Sequence, residues 1–120
     1  MTIRRRIARA DGIAAVEAVL AGAADRTTLA AASRYLLEQL ADEAEGHTVE
    51  VRVPPYGAVQ AVGGPRHTRG TPPNVVEMDA ATWIQLATGG LAWGDAVDDA
   101  RVTASGQRAS LAEHLPLHWS

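Results

Sequence analysis

The feature that most constrains this chain is a change of hydrophobic period at Gly46. Before it, Leu29, Ala32, Leu36, Leu37 and Leu40 recur at helical spacing, with Glu38, Asp42, Glu43 and Glu45 on the other side. After it, Val49, Val51 and Val53 alternate with Glu50 and Arg52, the period of a strand with one wet face. The two patterns predict a helix over 28–45, capped by Thr27 or Thr28 and stopped by Gly46, followed by a strand over 49–53. An amphipathic helix followed by a half-wet strand predicts a domain that combines helices and strands.

The rest of the chain extends that architecture. Ile13, Val16, Val19 and Leu20 predict a first helix over 13–22 and leave 1–12 as a loosely ordered arm. Pro54-Pro55-Tyr56-Gly57 turns the chain into a partner strand, 57–62, which makes an antiparallel hairpin. A polar loop from Gly63 to Pro73 leads to a third strand, 74–78. Asp79 caps a helix over 80–88 that stops at Gly89-Gly90. A short helix over 92–99 follows, then a strand over 102–104 closed by Gly106. Ser110 starts a last helical turn carrying Leu111 and Leu115, which Pro116 ends. With no repeat or linker, residues 1–120 form one domain.

Composition decides what kind of core and chemistry this domain has. Apolar residues make up 47% of the chain but none is Phe, so Ala, Val, Leu and Ile build the core. Large anchors such as Trp83, Trp93, Leu36 and Leu115 then matter more than usual. The absence of Cys excludes disulfides, a thiolate nucleophile and zinc fingers. All 11 basic residues are Arg, which excludes a Schiff-base lysine and a Walker A phosphate loop. A net charge of −3 argues against a nucleic-acid partner. The start resembles an export leader, with Arg4, Arg5 and Arg6 before an Ala-rich run. Asp11 and Glu17 interrupt that run, so the expectation is a mature helix in a cytoplasmic protein without integral membrane contact. Residues Arg4 to Arg9 would suit either anionic phospholipid or plain solvent.

Few polar groups form a site. Arg66, His67 and Arg69 are the densest polar cluster, able to clamp a carboxylate or phosphate head; equally, the arginines would brace a long loop or pair with Glu77. His114 and His118 lie four apart, but Pro116 interrupts the helix that metal binding would need, and His47 reads as solvated. Asp95, Asp98 and Asp99 lack the Gly and Glu of a calcium loop and read as a wet helix face. Ser33, Ser105 and Ser110 lie in no nucleophile elbow. The chain is therefore expected to be a non-enzyme without metal or cofactor.

The order helix, helix, three strands, helix, helix, strand, helix resembles the sterol carrier protein type-two fold. The stretch Met78-Asp79-Ala80-Ala81-Thr82-Trp83-Ile84-Gln85-Leu86-Ala87-Thr88-Gly89-Gly90-Leu91 carries the likeness, with its acidic cap, aromatic, Leu and Gly. Trp93-Gly94-Asp95-Ala96-Val97, Arg101-Val102-Thr103-Ala104-Ser105-Gly106, Leu111 and Leu115 continue it. Arg66-His67-Thr68-Arg69-Gly70-Thr71-Pro72-Pro73-Asn74-Val75-Val76-Glu77 resembles a bacterial, actinobacterial branch of that group. The resemblance spans about 28–117 and implies a twisted mixed sheet of four to five strands with helices packed on one face. It also implies an apolar tunnel between the layers for fatty acid, acyl-CoA or a sterol-like lipid.

On that reading Val75, Trp83, Leu86, Leu91, Trp93, Val97, Leu111 and Leu115 would wall the tunnel, where periodicity alone makes them core. Arg66, His67 and Arg69 would meet the polar head. The alternative is an interaction module that kept the fold without an open tunnel and uses its apolar surplus in a homodimer or in docking to another protein.

Overall fold

The computed structural model describes residues 7–64 and 73–120. Among these, two helices precede three strands, and two further helices precede a fourth strand. Helix α1 spans Arg9–Leu20 and α2 spans Arg26–Glu43. Strands β1, Val49–Val53, and β2, Gly57–Ala61, form the expected hairpin. Strand β3, Asn74–Met78, leads through the Asp79 cap into α3, Ala80–Thr88. Helix α4, Trp93–Asp98, and strand β4, Val102–Ser105, complete the set.

The sheet is mixed, in the order β2-β1-β3-β4. Strand β1 runs antiparallel to β2 and parallel to β3, and β3 runs antiparallel to β4. Register fixes the faces. Val51 pairs with Val59 and lies beside Val76, while Met78 pairs with Val102, so these side chains share one face with Val49, Val53 and Ala61. Val49, Val51, Val53, Ala61 and Val76 are fully buried there, together with Tyr35, Leu36 and Leu40 of α2 and Trp83, Leu86 and Ala87 of α3. The opposite face carries Glu50, Arg52, Gln60 and Glu77 and no described helix. The architecture is α+β, with four strands among the described residues and helices on one side.

Three local expectations change. Helix α1 begins at Arg9, so residues 9–12 are helix rather than arm. Gly12 is the reason this turn docks: a Cβ there would collide with the Tyr35 ring, so only glycine lets α1 approach α2 so closely. The cap of α2 is Asp25, not Thr27 or Thr28. Its carboxylate accepts from the Thr28 backbone N–H at 3.1 Å and from the Thr28 hydroxyl at 2.9 Å. An aspartate makes the stronger acceptor, and threonine joins it as a donor. The last helical turn is only a 3₁₀ turn at Ala112–His114, with the Ala112 N–H donating to the Ser110 hydroxyl at 3.2 Å. Leu115 has left the turn and is already extended.

Candidate functional site

The expected tunnel wall divides into three groups. Trp83, Leu86 and Leu111 have at most 1% of their surface accessible, so they touch essentially no water-sized space, whether enclosed or open. The Trp83 indole N–H donates to the Ser33 carbonyl of α2 at 3.2 Å, tying α3 to α2 across the core. Leu91, Trp93 and Leu115 are half-buried against the core's edge, while Val97 is 43% exposed. Trp93 and Val97 lie four apart on α4 and so share a face. Val75 belongs to neither group. It pairs with Ser105 and lies beside Glu50, on the sheet face turned away from the helices, where it cannot wall a space between the layers.

A feature missed in the sequence closes the other side of this core. The segment after the 3₁₀ turn runs as an extended strap over α3 and α2. The Leu117 N–H donates to the Ala87 carbonyl at 2.9 Å, and Leu117 is buried. The Gln39 amide donates to the His118 carbonyl at 2.9 Å, and the Tyr35 hydroxyl donates to the Trp119 carbonyl. Arg9 donates to the Ser120 carbonyl at 2.8 Å, so this arginine is engaged rather than free in solvent. Glu43 holds the strap from α2, accepting from the His118 backbone N–H at 2.8 Å and facing its ring nitrogen at 2.9 Å. Burial pushes the Glu43 carboxyl up, but the bonds from Gln39 and His118 outweigh it and hold the group below the usual range. Only the i, i+4 spacing of Gln39 and Glu43 on one helix face hinted at this role.

The remaining candidates separate cleanly. Arg66, His67 and Arg69 lie outside the described residues, as do Arg4, Arg5 and Arg6. His118 is engaged with Glu43, and His114 sits in the 3₁₀ turn. His47 meets the Gln60 side chain at 2.7 Å. Asp95, Asp98 and Asp99 are exposed, and no group of metal-ligating side chains forms among the described residues. Ser33 is buried with its hydroxyl unpartnered, held in the core by packing rather than placed in any triad. No helix among the described residues is long and apolar enough to cross a membrane.

A separate depression of about 550 Å³, open to solvent, lies on the outer side of α2. Ile7, Ala30, Ala31, Pro55 and Tyr56 make its apolar surface, and Arg26, Thr27 and Arg34 its polar part. Arg34 is fixed by donating from Nε to the Tyr56 carbonyl at 2.7 Å. Residues 26, 30 and 34 fall on one helical face, a spacing that was legible but went unread among the core stripe's outward neighbours.

No curated protein matches the chain. The family model described as "Bacterial SCP ortholog" matches residues 25–117, which include α2, the whole sheet, α3, α4 and most of the closing segment. With more than three quarters of its length covered by that match and its fold in agreement, the chain belongs to the bacterial sterol carrier protein-like family.

Proposed function

We propose that this protein binds and carries an apolar ligand of the fatty acid, acyl-CoA or sterol-like class between its helices and sheet, without catalysis and in the cytoplasm. The family match over α2, the sheet, α3 and α4 is the observation that supports this reading most. Trp83, Leu86 and Leu111 are buried, so on this reading a ligand that reached them would enter by displacing side chains. Leu91, Trp93, Val97 and Leu115 are the candidates for that entry, because they retain exposure at the edge of the core. Each methylene taken from water would contribute about 0.8 kcal/mol, which would offset the cost of opening.

The burial of Trp83, Leu86 and Leu111 favours a second reading, in which the protein is an interaction module that kept the fold without an open tunnel. Organic extraction of the purified protein, with native mass spectrometry of the intact species, separates the two. A stoichiometric co-purifying lipid supports carriage. A ligand-free protein that also ignores added palmitate and palmitoyl-CoA contradicts it, and a ligand-free dimer with the same indifference supports the module.

A further inference from the structure

We infer that the depression beside α2 is a docking groove for an acidic segment of a partner protein, one that presents an apolar side chain between two carboxylates. This goes beyond ligand carriage and concerns a different face of the molecule. The groove is lined by two arginines and by no carboxylate, in a chain whose net charge is −3. Arg26 has no partner among the described residues, and Arg34 has only its Nε bond to the Tyr56 carbonyl. Two guanidiniums with unused fork-shaped donors suit carboxylates, which they can grip in a bidentate manner.

Shape chooses the class of occupant. Small-molecule pockets enclose about 70–90% of their ligand, whereas this depression is open to solvent. An acyl chain lying there would keep much of its surface in water. An extended peptide needs no such enclosure, since its backbone remains solvated while one side chain is buried. Spacing then sets a register. Arg26 and Arg34 are separated by eight residues of helix, about 12 Å at 1.5 Å per residue. An extended strand covers that distance in about four residues. The partner should therefore carry Asp or Glu roughly two positions before and two after an apolar residue that sits on Ala30, Ala31, Pro55 and Tyr56.

The test is a selection of displayed random octapeptides on the full chain, repeated with Arg26→Gln and with Ala31→Trp. Enrichment of the acid–x–apolar–x–acid pattern is expected. The selected peptides should bind Arg26→Gln at least about tenfold more weakly, with affinity for the native chain falling as salt rises. Ala31→Trp, which fills the groove while leaving both guanidinium charges in the chain, should abolish binding. No enrichment, enrichment of peptides lacking acidic residues, or equal binding to both variants would overturn the inference. If dodecanoate alone moves the backbone signals of Ala30, Ala31 and Tyr56, the groove takes a lipid instead. None of these outcomes reads the layer around Trp83, so the carriage proposal stands or fails separately.

Discussion

The seam between α2 and α3 and the edge formed by α4 are built from the same aliphatic and tryptophan chemistry, yet only one of them is finished. At the seam, Trp83 is fully buried and bonded to the Ser33 carbonyl, and the extended strap lies across the ends of both helices. At the edge, Trp93 is half-buried and Val97 is 43% exposed on a helix of six residues. A short helix with one buried residue, Ala96, has few contacts to lose when it moves. The difference makes the first region the anchor of stability and the second the edge that is easier to displace.

Substitution at the two places should show the contrast at its largest. Trp83→Ala should destabilise the fold by about 3–5 kcal/mol in denaturant unfolding. Val97→Ala should stay within about 0.5 kcal/mol. A comparable loss at both positions would break the distinction. The close approach of α1 to α2 comes next: Gly12→Ala drives a methyl into the Tyr35 ring and should cost about 1–3 kcal/mol by the same assay.

The strap supplies a pH dependence. The Glu43 carboxyl lies lower in the folded chain than in the unfolded one, so its contribution is present above the ordinary glutamate range. It is lost as pH falls through the folded value. Hydrogen-exchange protection factors at the Leu117 and His118 amides, taken against the intrinsic rate at each pH, should therefore fall on acidification before those of the core amides, and Glu43→Gln should flatten that response. Simultaneous loss of strap and core would show that the two are one unit.

The smallest effect lies at the edge. Ala100 holds a left-handed φ of 57° at the end of α4, where its N–H donates to the Val97 carbonyl at 3.0 Å and that of Arg101 to the Ala96 carbonyl at 2.9 Å. This is the helix-ending motif that favours glycine. Ala100→Gly should raise stability by about 0.5–1 kcal/mol without changing ligand access. A loss of stability would mean that the alanine methyl has a packing role.

What the sequence made legible follows from how local each signal is. The Asp79 cap, the helix over 80–88 and the Gly89 stop were readable because cap, period and stop lie within a dozen residues. The structure places that helix at Ala80–Thr88, with the Asp79 carboxylate accepting from the Thr82 N–H at 2.8 Å. The face of Val75 was not readable from composition, since it depends on register against Glu50 and Ser105. The strap was invisible because its bonds to α2 join residues separated by more than 70 positions, and an extended segment after a proline has no periodicity of its own. The groove was missed for a related reason: Tyr56 reaches Arg34 only after the chain has gone round the first hairpin strand.

The measurement that tests the central claim most directly is the indole N–H signal of each tryptophan, followed by two-dimensional NMR as palmitate is added. If the closed layer opens from the α4 edge to admit ligand, the Trp93 and Trp83 signals will shift together and saturate stoichiometrically, as the Trp83 bond to Ser33 is disturbed. If both signals stay fixed while palmitate is in excess, the layer is a permanently filled core and the protein does not carry its ligand there.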